Sequence, residues 1–342
     1  MKLFSLAGLC AALLIASNVW TTNVVAADAK VDVVVGGLDN PCGVAVQPET
    51  GHVFIADSGA GRIVRVVDGK LQDVIVGFPL DIYGKGPMYN IGPLGLIFLD
   101  KDTLVVGDGG FKDGEEYIRV FAVPAVGKPA IKYEDTKQKL GPLAPTDQLK
   151  GEGNLYALAL TKTALYVTCN GDDTKGWVAK ADLAGGKFGE LKRFIATKEV
   201  VEVDAPVGIT IGPRGEIVVG QMGEMNVPND SLLSLYNATT GKLLLNQKTG
   251  LHDIAALAYG PKTSQLYALD FAWIKTEEGG LFQLVSQSKD GQNSVTTKKI
   301  ASLDKATAMA FGKDGELYIT VIGPKKEDHP KSGQLLKIAP GL

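Results

Sequence analysis

Residues 40–66, NPCGVAVQPETGHVFIADSGAGRIVRV, contain the pattern on which the fold depends. A short run of small and apolar residues is followed by a tight turn at Gly51, a second apolar run, a glycine-rich turn and a third run. The first run returns along the chain at intervals of roughly 50 to 60 residues, the spacing of a structural repeat. Its copies are residues 42–46, 94–98, 156–160, 207–211, 255–259 and 307–311.

Each copy predicts an innermost strand, because small and apolar residues suit a strand that is packed on both faces near a crowded axis. A second apolar strand follows each turn, a third follows the next loop, and most repeats add a more polar fourth strand. Four strands per repeat predict an all-β fold, a six-bladed β-propeller. A two-sheet sandwich or two separate β domains would not produce such similar copies.

The last repeat reaches the C-terminus after only three strands. Residues 31–35 form an additional strand before the first repeat. We therefore expect residues 31–35 to pair beside residues 334–338 and to supply the fourth strand of the last blade. This closure of the ring would remove exposed sheet edges, which otherwise invite aggregation.

The N-terminus has the pattern of a secretory signal peptide: Lys2, a mostly apolar run over residues 3–16, then polar residues before Ala26-Ala27. Asn18 and the polar residues after it end the run before the roughly 20 residues that a membrane helix needs. We predict a leader over residues 1–27, a propeller over residues 28–342, and a secreted or periplasmic location. The mature chain is expected to have no membrane span.

Charges of both signs are spread along the chain, and the net charge is -3. No basic stripe is present, so nucleic acid is not an expected partner. Loss of the leader leaves only Cys42 and Cys169, which fall in non-adjacent repeats. Two buried thiols are therefore favoured over a disulfide framework. We expect a monomer.

Residues 40–66 closely resemble the NHL repeat, whose pattern is Pro-x-Gly-Val-Ala-Val, a glycine turn, a strand ending in Ala-Asp-Ser-Gly, and Arg-Ile. Pro93-Leu94-Gly95 and Pro206-Val207-Gly208 repeat the opening of this pattern, and Asp314-Gly315 repeats the turn. The resemblance covers about 300 residues at uneven strength. It implies a fold more firmly than an activity, because NHL propellers include protein-binding, RNA-binding, sensor and lyase members.

The chain is more distantly similar to gluconolactonase and regucalcin-like propellers. That resemblance implies a divalent metal held by Glu, Asn and Asp residues where the innermost strands begin. None of the corresponding residues of this chain is a carboxylate or carboxamide: they are Cys42, Leu94, Tyr156, Val207, Ala255 and Thr307. The metal quartet of that family is therefore absent from its own positions.

In a propeller the ends of the second strands converge on the face where the first strands begin. Most of these ends are polar, and the candidate binding residues of this rim are Asp57, Asp108, Asn154, Asn170, Gln221 and Asp270. Asp and Asn side chains often only cap turns by bonding their own backbone. As a set, however, they supply hard oxygen ligands suited to Ca²⁺ or to a polyhydroxylated ligand. Asp57, Asp108 and Asp270 are the candidate metal ligands.

Residues 77–93 interrupt the repeat on the same face, between the first two blades. Tyr83, Tyr89 and Asn90 in this segment, and Trp273 in the fifth repeat, are candidates for stacking on and hydrogen-bonding a ligand. The alternative is that these aromatic side chains only fill the mouth of the channel. Both interpretations place this segment over the axis.

No Ser, His and acid spacing, phosphate-binding loop or HExxH motif is present. His252 and Asp253 are the candidate catalytic residues, because a histidine on the binding face is able to act as a general base. We expect an exported module that binds a protein, peptide or glycan through its loop-rich face. The alternative is a metal-dependent, lactonase-like hydrolase or a lyase acting at the channel mouth.

Overall fold

Each repeat folds into a blade of antiparallel strands in which the first strand lies innermost and the others follow outward. The computed structural model describes residues 28–84, 88–171, 174–289, 292–324 and 331–342. The predicted leader, residues 1–27, lies outside these described residues. The blades are arranged as a ring, since each first strand contacts the first strand of the next blade and the sixth contacts the first. The predicted six-bladed β-propeller is confirmed.

The first four blades have the following strands, in order from the axis outward. Blade 1 contains β2 (Pro41–Val46), β3 (Val53–Asp57), β4 (Arg62–Val67) and β5 (Lys70–Val76). Blade 2 contains β8 (Pro93–Asp100), β9 (Thr103–Asp108), β10 (Ile118–Ala122) and β12 (Gln138–Leu140). Blade 3 contains β13 (Leu155–Leu160), β14 (Ala164–Cys169), β15 (Trp177–Ala184) and β17 (Lys192–Ala196). Blade 4 contains β18 (Pro206–Ile211), β19 (Ile217–Gln221), β20 (Leu232–Tyr236) and β21 (Leu243–Lys248).

Blade 5 contains β22 (Ile254–Tyr259), β23 (Leu266–Asp270), β24 (Gly280–Lys289) and β25 (Gln292–Ser302). Blade 6 contains β26 (Ala306–Phe311), β27 (Leu317–Val321), β28 (Gly333–Ile338) and β1 (Val31–Leu38). The smaller elements are β6 (Asp81–Tyr83), β7 (Tyr89–Ile91), β11 (Ile131–Lys132), β16 (Lys187–Phe188), α1 (Thr197–Val201) and a 3-10 turn over Ser58–Ala60.

The ring closes in blade 6, where the N-terminal strand β1 pairs antiparallel with β28. The register places Val31 opposite Ile338 and Val35 opposite Leu335, and Leu38 at the end of β1 is fully buried. The predicted pairing is confirmed. The strand extends three residues beyond the predicted end at residue 35, because Leu38 packs in the apolar layer between blades 6 and 1.

The core consists of apolar layers between neighbouring blades. Glycine permits the closest approach: a Cβ on Gly43 would lie 2.1 Å from the carbonyl oxygen of Leu94 in the next blade. Two features depart from the simple repeat. β11 pairs in parallel with β5 of blade 1, and β6 pairs with β7 to form a hairpin within residues 77–93.

Cys42 and Cys169 are both free, buried thiols, as predicted. Burial raises the pKa of the Cys42 thiol to about 12, so this group stays protonated and unreactive at neutral pH. Among the helices of the described residues, none has both the length and the apolar character that a membrane crossing requires.

Candidate functional site

One face of the ring, which we call the top face, is where the first strands begin and the second strands end. The positions at which the first strands begin meet at the axis, where they line a small apolar cavity, the axial pocket, of about 60 Å³. Cys42, Leu94, Tyr156, Val207 and Thr307 line it, and Ala255 belongs to the adjoining buried cluster. The axis therefore presents mainly apolar groups where a carboxylate metal site would need oxygen ligands.

Tyr156 lies beside both the axial pocket and the central channel, and together with Cys42 and Thr307 it lines both cavities. The channel is a larger space of about 450 Å³, lined by the first strands of all the blades. The Tyr156 hydroxyl donates a hydrogen bond of 3.3 Å to the backbone carbonyl of Thr307 in blade 6. The two cavities thus adjoin at the level where the first strands begin.

The hairpin of β6 and β7 covers the axial pocket from above. Tyr83, Tyr89 and Ile91 of the hairpin line the pocket together with Phe271 and Trp273 of blade 5. Their rings are in contact, with centroids 6.0 Å apart for Tyr89 and Trp273 and 4.5 Å apart for Phe271 and Trp273. Tyr89 is 7% exposed, and burial raises its pKa to about 12.

The predicted ligand contacts of this hairpin therefore divide into two groups. Tyr89 fills the channel mouth, and Asn90 fixes the hairpin because its carbonyl oxygen accepts a 2.9 Å hydrogen bond from the Asn40 side chain. Tyr83 lies half-buried and lines both the axial pocket and a second cavity beside it. Among the predicted residues of the hairpin, Tyr83 is thus the one placed to contact a ligand outside the axial pocket.

The second cavity is a polar cleft of about 340 Å³ on the top face, between blades 3 and 4. Sequence reasoning did not identify this cleft, because its lining combines loops that are distant in the chain. Its walls include the predicted residues Tyr83, Asn154 and Asn170. The lining residues that were not predicted as site residues include Ile82, Asp113, Asp204, Met222, Glu224 and Met225.

The predicted rim carboxylates are each engaged within their own blade. Asp57 accepts a 2.6 Å hydrogen bond from the Asp39 amide and forms a 2.8 Å ion pair with Arg62. Asp108 forms a 2.8 Å ion pair with the buried Arg119. Burial outweighs this arginine and raises the pKa of Asp108 to about 6.

Asp270 accepts hydrogen bonds from the backbone amides of His252, at 2.9 Å, and Asp253, at 2.8 Å. Its carboxylate therefore ties the end of β23 to the segment that leads into β22. Within the part of the chain that the structure describes, no three His, Cys, Asp or Glu side chains are grouped so as to hold a metal ion. Asp57, Asp108 and Asp270 are thus not brought together as one set of ligands.

The predicted carboxamides have mixed surroundings. Asn154 donates a 3.3 Å hydrogen bond to the carbonyl of Asn170, and the Asn170 side chain donates one of 3.3 Å to the Tyr83 hydroxyl. These three residues form one polar wall shared by the axial pocket and the cleft. Gln221 lies apart from this wall: it is buried, and its side chain donates a 3.0 Å hydrogen bond to the carbonyl of Val203.

His252 and Asp253 are buried beside the loop of blade 5 and line neither the axial pocket nor the cleft. His252 Nε2 lies 2.8 Å from a carboxylate oxygen of Glu278. The Asp253 carboxylate accepts a 2.7 Å hydrogen bond from the Trp273 amide. Burial, with the neighbouring carboxylate of Asp270, raises the pKa of Asp253 to about 7. These contacts hold the loop that carries Trp273.

Glu116 is a buried acid that the sequence did not single out, because it follows Asp113 and Glu115 in an acidic loop. Its carboxyl group accepts hydrogen bonds from the amides of Phe111 and Asn154. Burial raises its pKa to about 9, although the two amide hydrogen bonds act in the opposite direction. The side chain supports Asn154 from behind the shared polar wall.

No protein-family model matches the sequence, and no curated protein matches it. The NHL resemblance therefore has no support from a family model. Solved structures do match the fold over nearly the whole chain.

Three similar structures illustrate this likeness. The apo-form of the soluble aldose sugar dehydrogenase of Escherichia coli has 13% sequence identity and a TM-score of 0.57, over 92% of this chain and 100% of that one. A gluconolactonase of Xanthomonas campestris has 14% identity and a TM-score of 0.56, over 92% and 90%. The calcium-binding protein regucalcin of Agrobacterium tumefaciens has 13% identity and a TM-score of 0.55, over 91% and 94%.

At these identities the likeness concerns the fold and not the activity. The solved structures that this chain resembles include gluconolactonase and regucalcin-like propellers and a sugar dehydrogenase. The chain is thus a six-bladed β-propeller whose top face carries an apolar axial pocket and an adjoining polar cleft.

Proposed function

We propose that the protein is an exported binding protein whose top face docks a protein or peptide partner. The observation that carries this proposal is the distribution of large apolar side chains that are exposed to water. Most of those in the described residues lie on top-face connections: Leu80, Ile82, Met88, Val200, Val227 and Ile274. The remainder, Val33, Val126 and Leu244, lie on two outer strands and a loop of the opposite face.

Single exposed apolar residues are normal, but their concentration on one face favours an interaction surface. The six residues lie in four separate connections between strands. Their presence on the same face therefore does not result from a single apolar segment. One of them, Ile82, also lines the cleft, and apolar side chains beside a cavity are typical of a recognition site. A protein or peptide would cover them and remove this apolar surface from water.

The charge of the top face favours a basic partner. Its exposed carboxylates among the described residues are Asp81, Asp113, Glu115, Asp147, Glu199, Glu202, Glu224, Glu277 and Glu278. Its exposed cations among the same residues are Lys112, Lys150, Lys248 and Lys331. Two of the carboxylates, Glu199 and Glu278, form ion pairs with Lys175 and Lys275. Complementary charge speeds association and selects against acidic partners.

A random peptide library displayed on phage tests the proposal. The mature protein is expected to select peptides that combine basic and apolar residues. A variant with Ile82→Ser, Val227→Ser and Ile274→Ser should bind the selected peptides at least tenfold more weakly, roughly 1.4 kcal/mol. The matched control is Val126→Ser on the opposite face, which should bind normally. Peptides that bind the triple variant as tightly as the natural protein would refute top-face docking.

A hydrolase or lyase at the channel mouth is the second candidate. The raised pKa of Asp253, about 7, suits proton transfer at neutral pH. His252 and Asp253 are buried and line neither the axial pocket nor the cleft, so this candidate ranks below docking. This function predicts that His252→Ala and Asp253→Asn abolish turnover of a lactone substrate while the fold survives. Full turnover in both variants would remove these residues from the assignment.

Export is part of the proposal, and residues 1–27 are its basis. Mass spectrometry of the protein recovered from the periplasm or medium should give a mature chain that begins at Asp28. A chain that keeps Met1 and remains inside the cell would refute it.

A further inference from the structure

The axial pocket and the cleft between blades 3 and 4 adjoin each other. Their linings share Tyr83, Asn154, Asn170 and Met222. The axial part is small and apolar, and the cleft is larger and more polar. A ligand that fits both parts therefore needs an apolar group joined to a polar one.

The lining of the cleft is chemically mixed. Its apolar side chains are those of Ile82, Tyr83, Met222 and Met225. Its carboxylates are those of Asp113, Asp204 and Glu224. Of these, Asp204 forms a 2.8 Å ion pair with Lys198 of α1. Among the described residues that line the cleft, none is a lysine, arginine or histidine.

We propose that the cleft binds an arginine side chain of the partner, an inference that rests on the proposed docking function. The methylene stem of arginine packs on apolar surface while its charged head stays among polar groups. The apolar side chains and the carboxylates of the cleft match these two parts. The guanidinium group also donates paired hydrogen bonds to a carboxylate and stacks on an aromatic face, such as that of Tyr83.

Arginine fits this lining better than lysine does. The lysine ammonium group is a compact, strongly hydrated charge that has neither the planar fork nor the stacking surface of arginine. The two carboxylates that face solvent most, Asp113 and Glu224, lie on loops of different blades. The planar guanidinium group has several N–H donors that point in different directions, so it is able to donate hydrogen bonds to carboxylates on two loops. An ammonium group is a compact charge without this planar array of donors.

Methionine methyl NMR tests the inference on the intact mature protein, with N-acetyl-arginine amide as the probe. The methyl signals of Met222 and Met225 report on the cleft, and Met309, in the apolar layer between blades 5 and 6, is the internal reference. We expect saturable shifts of Met222 and Met225 with no shift of Met309. N-acetyl-lysine amide should bind more weakly, and N-acetyl-citrulline amide, which lacks the charge, should cause no shift.

Isosteric variants separate the cleft from the rest of the acidic face. Asp113→Asn and Glu224→Gln should each weaken arginine amide binding about two- to fivefold, the range for a solvent-exposed ion pair. Asp147→Asn, on the same face but outside the cleft, is the matched control and should bind normally.

Equal shifts with the citrulline probe, equal affinity for the lysine probe, or equal loss in the Asp147 variant would overturn the inference. If the selected peptides lose affinity in the top-face triple variant but arginine amide does not shift Met222 and Met225, the arginine site alone is refuted. If the peptides also bind the triple variant normally, the docking function is refuted as well.

Discussion

The Tyr156 hydroxyl donates to the carbonyl oxygen of Thr307 across the propeller axis, at 3.3 Å, and joins blade 3 to the opposite blade 6. Tyr156 is the single aromatic side chain among the positions at which the first strands begin. Together with Cys42 and Thr307, it lines both the axial pocket and the central channel. Tyr156 is therefore placed where the two cavities adjoin.

Substitutions at Tyr156 test whether its ring lies between the axial pocket and the central channel. Tyr156→Phe keeps the ring and loses one hydrogen bond, so we expect the free energy of unfolding to fall by about 0.5 to 1.5 kcal/mol. Tyr156→Ala also removes the ring and joins the two cavities, and should cost about 3 to 5 kcal/mol. Denaturant unfolding of both variants measures these differences. Equal stability of the two variants would show that the ring does not lie between the two cavities.

Ring closure by β1 gives a second prediction, with a control in the same strand. Leu38→Ala should lower the free energy of unfolding by about 2 to 5 kcal/mol, because Leu38 is fully buried between blades 6 and 1. Val33→Ala should change it by less than about 0.5 kcal/mol, because Val33 is 59% exposed. Similar losses in both variants would contradict the pairing of β1 with the ring.

The stability of the protein should depend on pH through Asp253. Its pKa is raised from 3.8 to about 7 in the native state. The native state therefore holds a proton that the unfolded chain has released between these values, and stability falls as pH rises from about 4 to about 7. Above pH 7 the buried carboxylate costs roughly 4 kcal/mol.

Asp253→Asn removes this charge and keeps an oxygen for the Trp273 amide. The variant should therefore be more stable than the natural protein at pH 8, and the difference should vanish toward pH 4. Denaturant unfolding across this range measures it. Parallel pH profiles for the two proteins would contradict the assigned pKa.

Calcium is expected to leave the melting temperature unchanged. The carboxylates of Asp57 and Asp270 accept backbone amides, and Asp108 pairs with Arg119, so their oxygens are already engaged. A metal at about 100 times its dissociation constant would stabilise the fold by about 2.7 kcal/mol and raise the melting temperature by a few degrees. An increase on adding Ca²⁺ to chelator-treated protein would favour the metal-dependent hydrolase instead.

The architecture could be predicted from the sequence because each blade repeats a local pattern. The predicted first strands at residues 42–46 and 307–311 fall within β2 (Pro41–Val46) and β26 (Ala306–Phe311). The pairing of β1 with β28 was also predictable, because the last repeat has only three strands and residues 31–35 form a strand that belongs to no repeat. Both inferences need only periodicity and the requirement that sheet edges be paired.

The candidate site was less predictable, because side-chain contacts depend on distances between blades. The sequence marks Asp57 as polar and near the axis, but it does not show that the Asp39 amide and Arg62 engage its carboxylate. The cleft joins Ile82 to Met225, which are far apart in the chain. No local pattern reports such a neighbourhood, and so the cleft was missed although three of its lining residues were predicted.

The pairing of β1 with β28 also has a consequence for biosynthesis. A ribosome that adds about 5 to 20 residues per second completes the last strand roughly 15 to 60 s after the first. Throughout this interval β1 lacks its partner β28, and Leu38 lacks the part of its apolar layer that Leu335 supplies. A chain that terminates before Gly333 keeps an open sheet edge at β1, so proteases and chaperones are able to distinguish truncated products from complete ones.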